Sequence, residues 1–120
     1  MHRIIIVDHD KDTLELLSGI LNTDYEVETL CSGEDLILRL NREEPPDLIL
    51  LSHSLPEQEG IEVLRKLHGP GAVRPIPVIM LTEGTEGRPE VECIRAGAQD
   101  YISKPFFPEL VRSRVDSQIQ

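Results

Sequence analysis

The chain has no tryptophan, and only two tyrosines and two phenylalanines among its 120 residues. It therefore offers no aromatic platform for stacking bases or sugars. Cysteine is scarce too. Cys31 and Cys93 are too few and too far apart for a disulfide framework or a CxxC metal site, and they read as reduced thiols in a cytoplasmic protein. Positive charge is also in short supply, with 12 Lys and Arg against 22 Asp and Glu for a formal net charge of -10. A surface that acidic repels phosphate backbones and anionic lipid, which argues against direct binding of nucleic acid or membrane. No apolar run approaches the roughly 20 residues of a membrane span, and the N-terminus lacks the pattern of a signal peptide. What is present is a globular composition, 39% hydrophobic and 28% charged. The length suits one domain over residues 1–120 and one core.

Arg3 to Val7 is a β-branched run closed by Asp8-His9-Asp10 and reads as a buried strand, with Asp10 as the N-cap of the next element. Leu14, Leu17 and Leu21, with Leu16 and Ile20 beside them, recur at helical spacing as far as Asn22. Tyr25 to Leu30 alternates as a second strand, and Ser32 opens a helix that buries Leu36, Ile37 and Leu40. Pro45-Pro46 ends that helix, because neither proline can continue its hydrogen-bond ladder. Leu48 to Leu51 reads as a central strand and Ser52 to Gly60 as a polar loop. Ile61, Leu64 and Leu67 mark a third helix, Gly69-Pro70-Gly71 opens a loop, and Pro77 to Leu81 is a fourth strand. Thr82 to Arg88 reads as a mobile connection into a short helix that starts at Pro89 and stops at Gly97. Asp100 to Ile102 is a fifth strand, and Pro108 opens the last helix.

Strands and helices alternate five times without a hairpin signal, which predicts a doubly wound α/β domain with a parallel sheet covered on both faces. Such sheets place functional groups beyond the carboxyl ends of their strands. The positions to watch are Asp8, His9, Ser52, Thr82 and Lys104.

The stretches IIIVDHD, PDLILLSHSLPEQEG, PVIMLTE and AGAQDYISKPFFPEL stand in that order at those strand ends. Together they make the chain resemble a receiver domain of two-component response regulators (CheY-like), over its whole length. The resemblance implies a flavodoxin-like (βα)5 fold with strand order 2-1-3-4-5, no enzymatic activity, and use as the N-terminal module of a longer regulator. It also implies roles for single residues. Asp8 and His9 fall on the acidic pair and Ser52 on the phosphoacceptor. Thr82 falls on the hydroxyl residue that meets the phosphoryl group, and Tyr101 on the aromatic switch. Lys104 falls on the lysine, followed by a cis bond to Pro105. The backbone carbonyl of Ser54 falls on a ligand of Mg²⁺.

His9 and Ser52 depart from the family pattern where the chemistry tolerates it least. Acyl phosphate forms when a carboxylate attacks a phosphorus whose charge Mg²⁺ has neutralised. Ser52 offers a protonated hydroxyl instead, and Mg²⁺ prefers hard oxygen ligands, so only Asp8 remains of three carboxylates. The expectations are weak or lost Mg²⁺ binding, no phosphorylation of the aspartyl type, and a direct Asp8–Lys104 ion pair with Ser52 hydrogen-bonded alongside. The domain then acts as a fixed protein-docking module for a sensor kinase, an output domain or another regulator. The alternative within the family is a receiver that still responds through Ser52 or through a ligand or phosphate in the pocket.

His9 and His53 near Asp8 suggest a transition-metal site, although adjacent strand residues point to opposite faces. Ser52 with a histidine and Asp8 suggests a serine-type enzyme, but no GxSxG elbow or oxyanion hole accompanies them. Modification of Ser52 by a serine kinase meets the difficulty that the residue lies deep in a crevice. Gly84 to Gly87 lacks the pattern of a phosphate loop. His2 and His68 read as exposed. Of Phe106 and Phe107, one reads as core and the other as partly exposed. A homodimer surface is sketched on helix four, strand five and helix five by Asp100, Glu109, Arg112 and Arg114, whose mixed charges suit pairing across a two-fold axis.

Overall fold

The computed structural model describes residues 1–69, 76–84 and 89–119. Five strands, β1 (Arg3–Val7), β2 (Glu26–Leu30), β3 (Leu48–Ser52), β4 (Val78–Thr82) and β5 (Asp100–Ser103), alternate with α1 (Lys11–Leu21), α2 (Gly33–Arg42), α3 (Gly60–Leu67), α4 (Pro89–Arg95) and α5 (Pro108–Ile119). All the strand pairs are parallel and the sheet order is β2-β1-β3-β4-β5. This is the flavodoxin-like doubly wound arrangement.

The two-residue period of the strands builds two core layers. Ile4, Ile6, Leu48, Leu50, Ile79, Leu81 and Ile102 face α1 and α5, where they meet Leu17, Leu21, Val111 and Val115. Ile5, Val7, Ile49, Leu51, Val78 and Met80 face the opposite side and pack on Leu36, Val63, Leu64 and Cys93. The strands β1, β3 and β4 are buried on both faces, which explains why they read as unbroken apolar runs. The edge strand β2 carries the polar alternation instead.

Local signals set the helix boundaries. Asp10 Oδ1 accepts the Asp12 N–H at 3.0 Å, and Ser32 Oγ accepts that of Asp35 at 3.1 Å, so both caps form as read. Past α4, Gly97 adopts φ +111°, a conformation that only glycine takes without strain. A Cβ there would also lie 2.6 Å from His68 Nδ1. His68 is accordingly half-buried against the α4–β5 turn, not exposed as expected, while His2 is exposed.

The boundaries of β3 and β4 move by one residue. Ser52 and Thr82 close these strands and do not open the following loops, because the ladder continues through them in the pairs Ser52↔Leu81 and Thr82↔Ser103. Leu16, read beside the buried face of α1, is exposed, as are Leu38 and Phe107, while Phe106 is core. The loop beginning at 69–71 and the connection over 82–88 fall largely outside the described residues.

Candidate functional site

The carboxyl ends of β1, β3, β4 and β5 bring Asp8, Ser52, Thr82 and Lys104 to one edge of the sheet. Asp8, Ser52 and Thr82 are almost wholly buried, at 3%, 4% and 2% exposure. Asp8 follows β1, and its Oδ1 accepts the N–H of Asp10 at 2.9 Å as the chain turns into α1. Burial pushes the Asp8 carboxyl above its ordinary value, opposed by the Asp10 N–H and by the nearby His9 and Lys104 side chains.

The sign of that shift gives a prediction. A carboxyl held above 3.8 in the folded state binds its proton more tightly there than in the unfolded chain, so its contribution to stability declines as pH rises through the interval above 3.8. Asp8→Asn keeps an oxygen for the Asp10 N–H and removes the buried charge. It is expected to raise Tm at neutral pH, with the gain shrinking at the acid end of the carboxylate range. Thermal melts at the two pH values check it, and a lower Tm at neutral pH would contradict it.

At the end of β3, Ser52 Oγ donates to the Ser54 carbonyl at 3.0 Å and accepts the Ser54 N–H at 3.2 Å. The hydroxyl is thus closed on its own backbone. His9 Nδ1 lies 3.2 Å from the same Ser54 carbonyl and 3.5 Å from Asp8 Oδ1. A carbonyl only accepts, so Nδ1 carries the proton in that bond. Because the imidazole turns to Ser54 and not to the Ser52 hydroxyl, no nucleophile–base hydrogen bond of the serine-hydrolase type is present among the described residues. His53 donates its backbone N–H to Leu81 at 2.8 Å, which continues the ladder and sends its side chain away from that of Ser52. Among the described residues no group of three or more His, Cys, Asp or Glu is placed to hold a metal.

Lys104 departs from expectation. Its Nζ lies 3.1 Å from Glu83 Oε2, and the direct Asp8–Lys104 ion pair does not form. Nor does Ser52 join such a pair, since its hydroxyl is bound to Ser54. Glu83 directly follows Thr82, so a carboxylate beside the last residue of β4 was the signal in the sequence for this competitor. Lys104 is joined to Pro105 by a cis bond. Thr82 Oγ1 and Ser103 Oγ lie 2.8 Å apart across β4 and β5. Tyr101 is half-buried against the core layer under α2, α3 and α4.

The sketched dimer surface is partly used up within the chain. Arg114 Nη1 donates to both Asp100 oxygens at 3.0 Å, so β5 and α5 are tied together by two of the four charges. Glu109 and Arg112 remain on the α5 surface. A second buried charge escaped sequence reasoning altogether. Arg39 of α2, 6% exposed, donates its Nε to both oxygens of Glu28 on β2 at 3.0 Å and its Nη1 to the Glu44 carbonyl at 2.9 Å.

The model of the response regulator receiver domain family matches residues 4–116. The chain is 39% identical over 107 residues to protein-glutamate methylesterase/protein-glutamine glutaminase 3 of Rhodopseudomonas palustris, covering 86% of this chain and 29% of that protein. It is 35% identical over 114 residues to the alkaline phosphatase synthesis transcriptional regulatory protein PhoP of Bacillus subtilis, covering 94% and 46%. The chain therefore spans less than half the length of these relatives. Its fold matches the crystal structure of a CheY-like response regulator receiver domain protein from Methanospirillum hungatei with TM-score 0.88 and 31% identity, over 99% of this chain and 94% of that one. With the five-stranded parallel sheet and the residues gathered at its carboxyl edge, the match over nearly the whole chain is decisive: the protein belongs to the receiver-domain family of two-component response regulators.

Proposed function

We propose that this receiver domain has lost the phosphorylation switch of its family and serves two-component signalling as a fixed protein-docking module. One observation carries the reading. The position that ends β3 holds a serine whose hydroxyl is 4% exposed with its residue and hydrogen-bonded to the Ser54 backbone at both donor and acceptor. A hydroxyl so placed has neither the charge of a carboxylate nor a base to remove its proton.

The donor set also fits Mg²⁺ poorly. It consists of one carboxylate already hydrogen-bonded, one carbonyl already bonded by two donors, a hydroxyl and an imidazole. Mg²⁺ favours a set of hard oxygens in octahedral array. Lys104, the cation that would meet a phosphoryl group, is engaged by Glu83. With no group left to favour a second state, the conformational equilibrium has nothing to shift it. The domain acts without catalysis of its own, in the cytoplasm. Its partners are proteins: a kinase, an output domain or another regulator.

The test is whether the native chain accepts a phosphoryl group. Incubated with a small acyl phosphate and Mg²⁺, it is expected to keep its intact mass unchanged. Addition of one phosphoryl group that disappears in Ser52→Ala would overturn the reading.

A further inference from the structure

The Ser54 carbonyl oxygen has two lone pairs, and both are taken. One receives the Ser52 hydroxyl at 3.0 Å and the other the Nδ1–H of His9 at 3.2 Å. The same His9 nitrogen lies 3.5 Å from Asp8 Oδ1, which also accepts the Asp10 N–H at 2.9 Å. A single imidazole nitrogen is thus poised between the one remaining carboxylate of the site and the backbone carbonyl beyond β3. Two oxygens in that relation, one anionic and one a carbonyl dipole, are what a hard cation would otherwise span.

We propose that His9 is a built-in stopper for this site: its Nδ1–H binds the Ser54 carbonyl at the side of the Asp8 carboxylate and thereby excludes divalent cations. The effect goes beyond the loss of a ligand. Replacing an acidic residue with any neutral side chain removes one oxygen from a metal site. His9 also places a donor on the Ser54 carbonyl, with the same nitrogen 3.5 Å from the Asp8 carboxylate. A cation must then displace a formed hydrogen bond and approach a ring whose N–H dipole opposes it. The imidazole is held on the protein side by groups fixed in the ends of β1 and β3, while half its surface stays in water, at 51% side-chain exposure. The chain thus satisfies these oxygens itself. The proposal deepens the reading that the phospho-switch is lost, and it concerns metal access alone.

Three variants of the full chain separate the stopper from simple ligand loss, with Mg²⁺ alone as the probe. His9→Ala adds no ligand and removes the donor. His9→Asn keeps an N–H donor near the place of Nδ1. His9→Asp supplies a second carboxylate and serves as the positive control. Because the side chain is half in solvent, all three are expected to fold, and unperturbed amide spectra away from residues 8, 9 and 54 check that. Amide shifts at those residues are then followed against Mg²⁺ concentration.

The expected order is tightest binding for His9→Asp, then His9→Ala, with His9→Asn and the native chain weakest. The gain of His9→Ala over the native chain is expected to be about tenfold, the scale on which groups behind the ligands alter metal affinity. Equal affinity of His9→Ala and the native chain overturns the proposal. So does a gain in His9→Asn as large as that in His9→Ala, or no binding by His9→Asp. None of these outcomes bears on whether Ser52 accepts phosphate, which the intact mass decides separately.

Discussion

Replacing Gly60 with alanine is expected to cost the domain about 3 kcal/mol, near the upper end for overpacking in a tight core. A Cβ at this position would lie 2.0 Å from the Ser52 carbonyl oxygen, 2.9 Å from its carbon and 3.0 Å from the Cα of His53. All three are backbone atoms, so no rotamer change relieves the clash. The first residue of α3 sits directly on the end of β3, and the Gly60 N–H donates to the His53 carbonyl at 2.9 Å. Relief requires α3 to lift or the end of β3 to shift, and either disturbs the Ser52–Ser54–His9 hydrogen bonds. For a domain of this size the loss corresponds to a Tm about 10 °C lower.

Gly19→Ala is the internal control. Nothing lies within 4 Å of a Cβ at this position in the last turn of α1, so helix propensity alone is expected to add roughly 0.5–1 kcal/mol. Thermal melts of the two variants check both signs. A Gly60→Ala protein as stable as the native chain would mean that α3 is not seated on β3 as described.

The second large effect concerns the charge hidden beneath α2. The Arg39 side chain is 4% exposed and its Nε meets Glu28 at 3.0 Å, with Glu43 at 3.6 Å. Glu28 is 34% exposed and Glu43 62%. The two ends of the pair are therefore unequal. Removing Glu28 leaves a guanidinium in the interior facing only the solvated Glu43 and the Glu44 carbonyl. Removing Arg39 leaves a carboxylate that water can reach. A buried partner left unpaired costs about 3 kcal/mol or more, whereas an apolar replacement for the buried member is far cheaper.

Glu28→Ala is accordingly expected to cost about 3 kcal/mol and Arg39→Met about 1 kcal/mol, since methionine refills much of the space of the arginine stem. Urea unfolding checks the order, with the midpoint moving and the slope unchanged. If Arg39→Met proves the more damaging, the guanidinium contributes to stability by more than its pairing with Glu28. The pair matters to the architecture because β2 is an edge strand with few buried residues, and Arg39 ties it to α2 and to the segment leading into β3.

The fold was legible because each layer of the sequence said the same thing. The unbroken apolar runs of β1, β3 and β4, the caps at Asp10 and Ser32, and Pro45-Pro46 after α2 all act over a few residues. Their meaning does not depend on distant contacts. The positions of Asp8, Ser52, Thr82 and Lys104 at one edge were legible for the same reason, since strand ends in a parallel sheet lie together. What the sequence left hidden were the choices between partners. Lys104 has two carboxylates in its neighbourhood, and only the geometry decides for Glu83, the residue next to Thr82, over the buried Asp8. His9 was legible as a misfit in an acidic pair, but its hydrogen bond to Ser54, 45 residues on, depends on the turn beyond β3. Arg39 gave no signal in the sequence, because its burial depends on Glu28 of a different element. Likewise Asp100 and Arg114 looked like free surface charges until β5 and α5 were placed side by side.

The claim on which the account turns is that Ser52 does not take up a phosphoryl group in the native protein. Intact-mass measurement after incubation with a small acyl phosphate and Mg²⁺ tests it most directly, with a receiver that retains the acceptor aspartate as a parallel control. The control is expected to gain one phosphoryl group while the native chain keeps its mass. A native chain that gains the group, and loses that gain in Ser52→Ala, would contradict it and restore the switch.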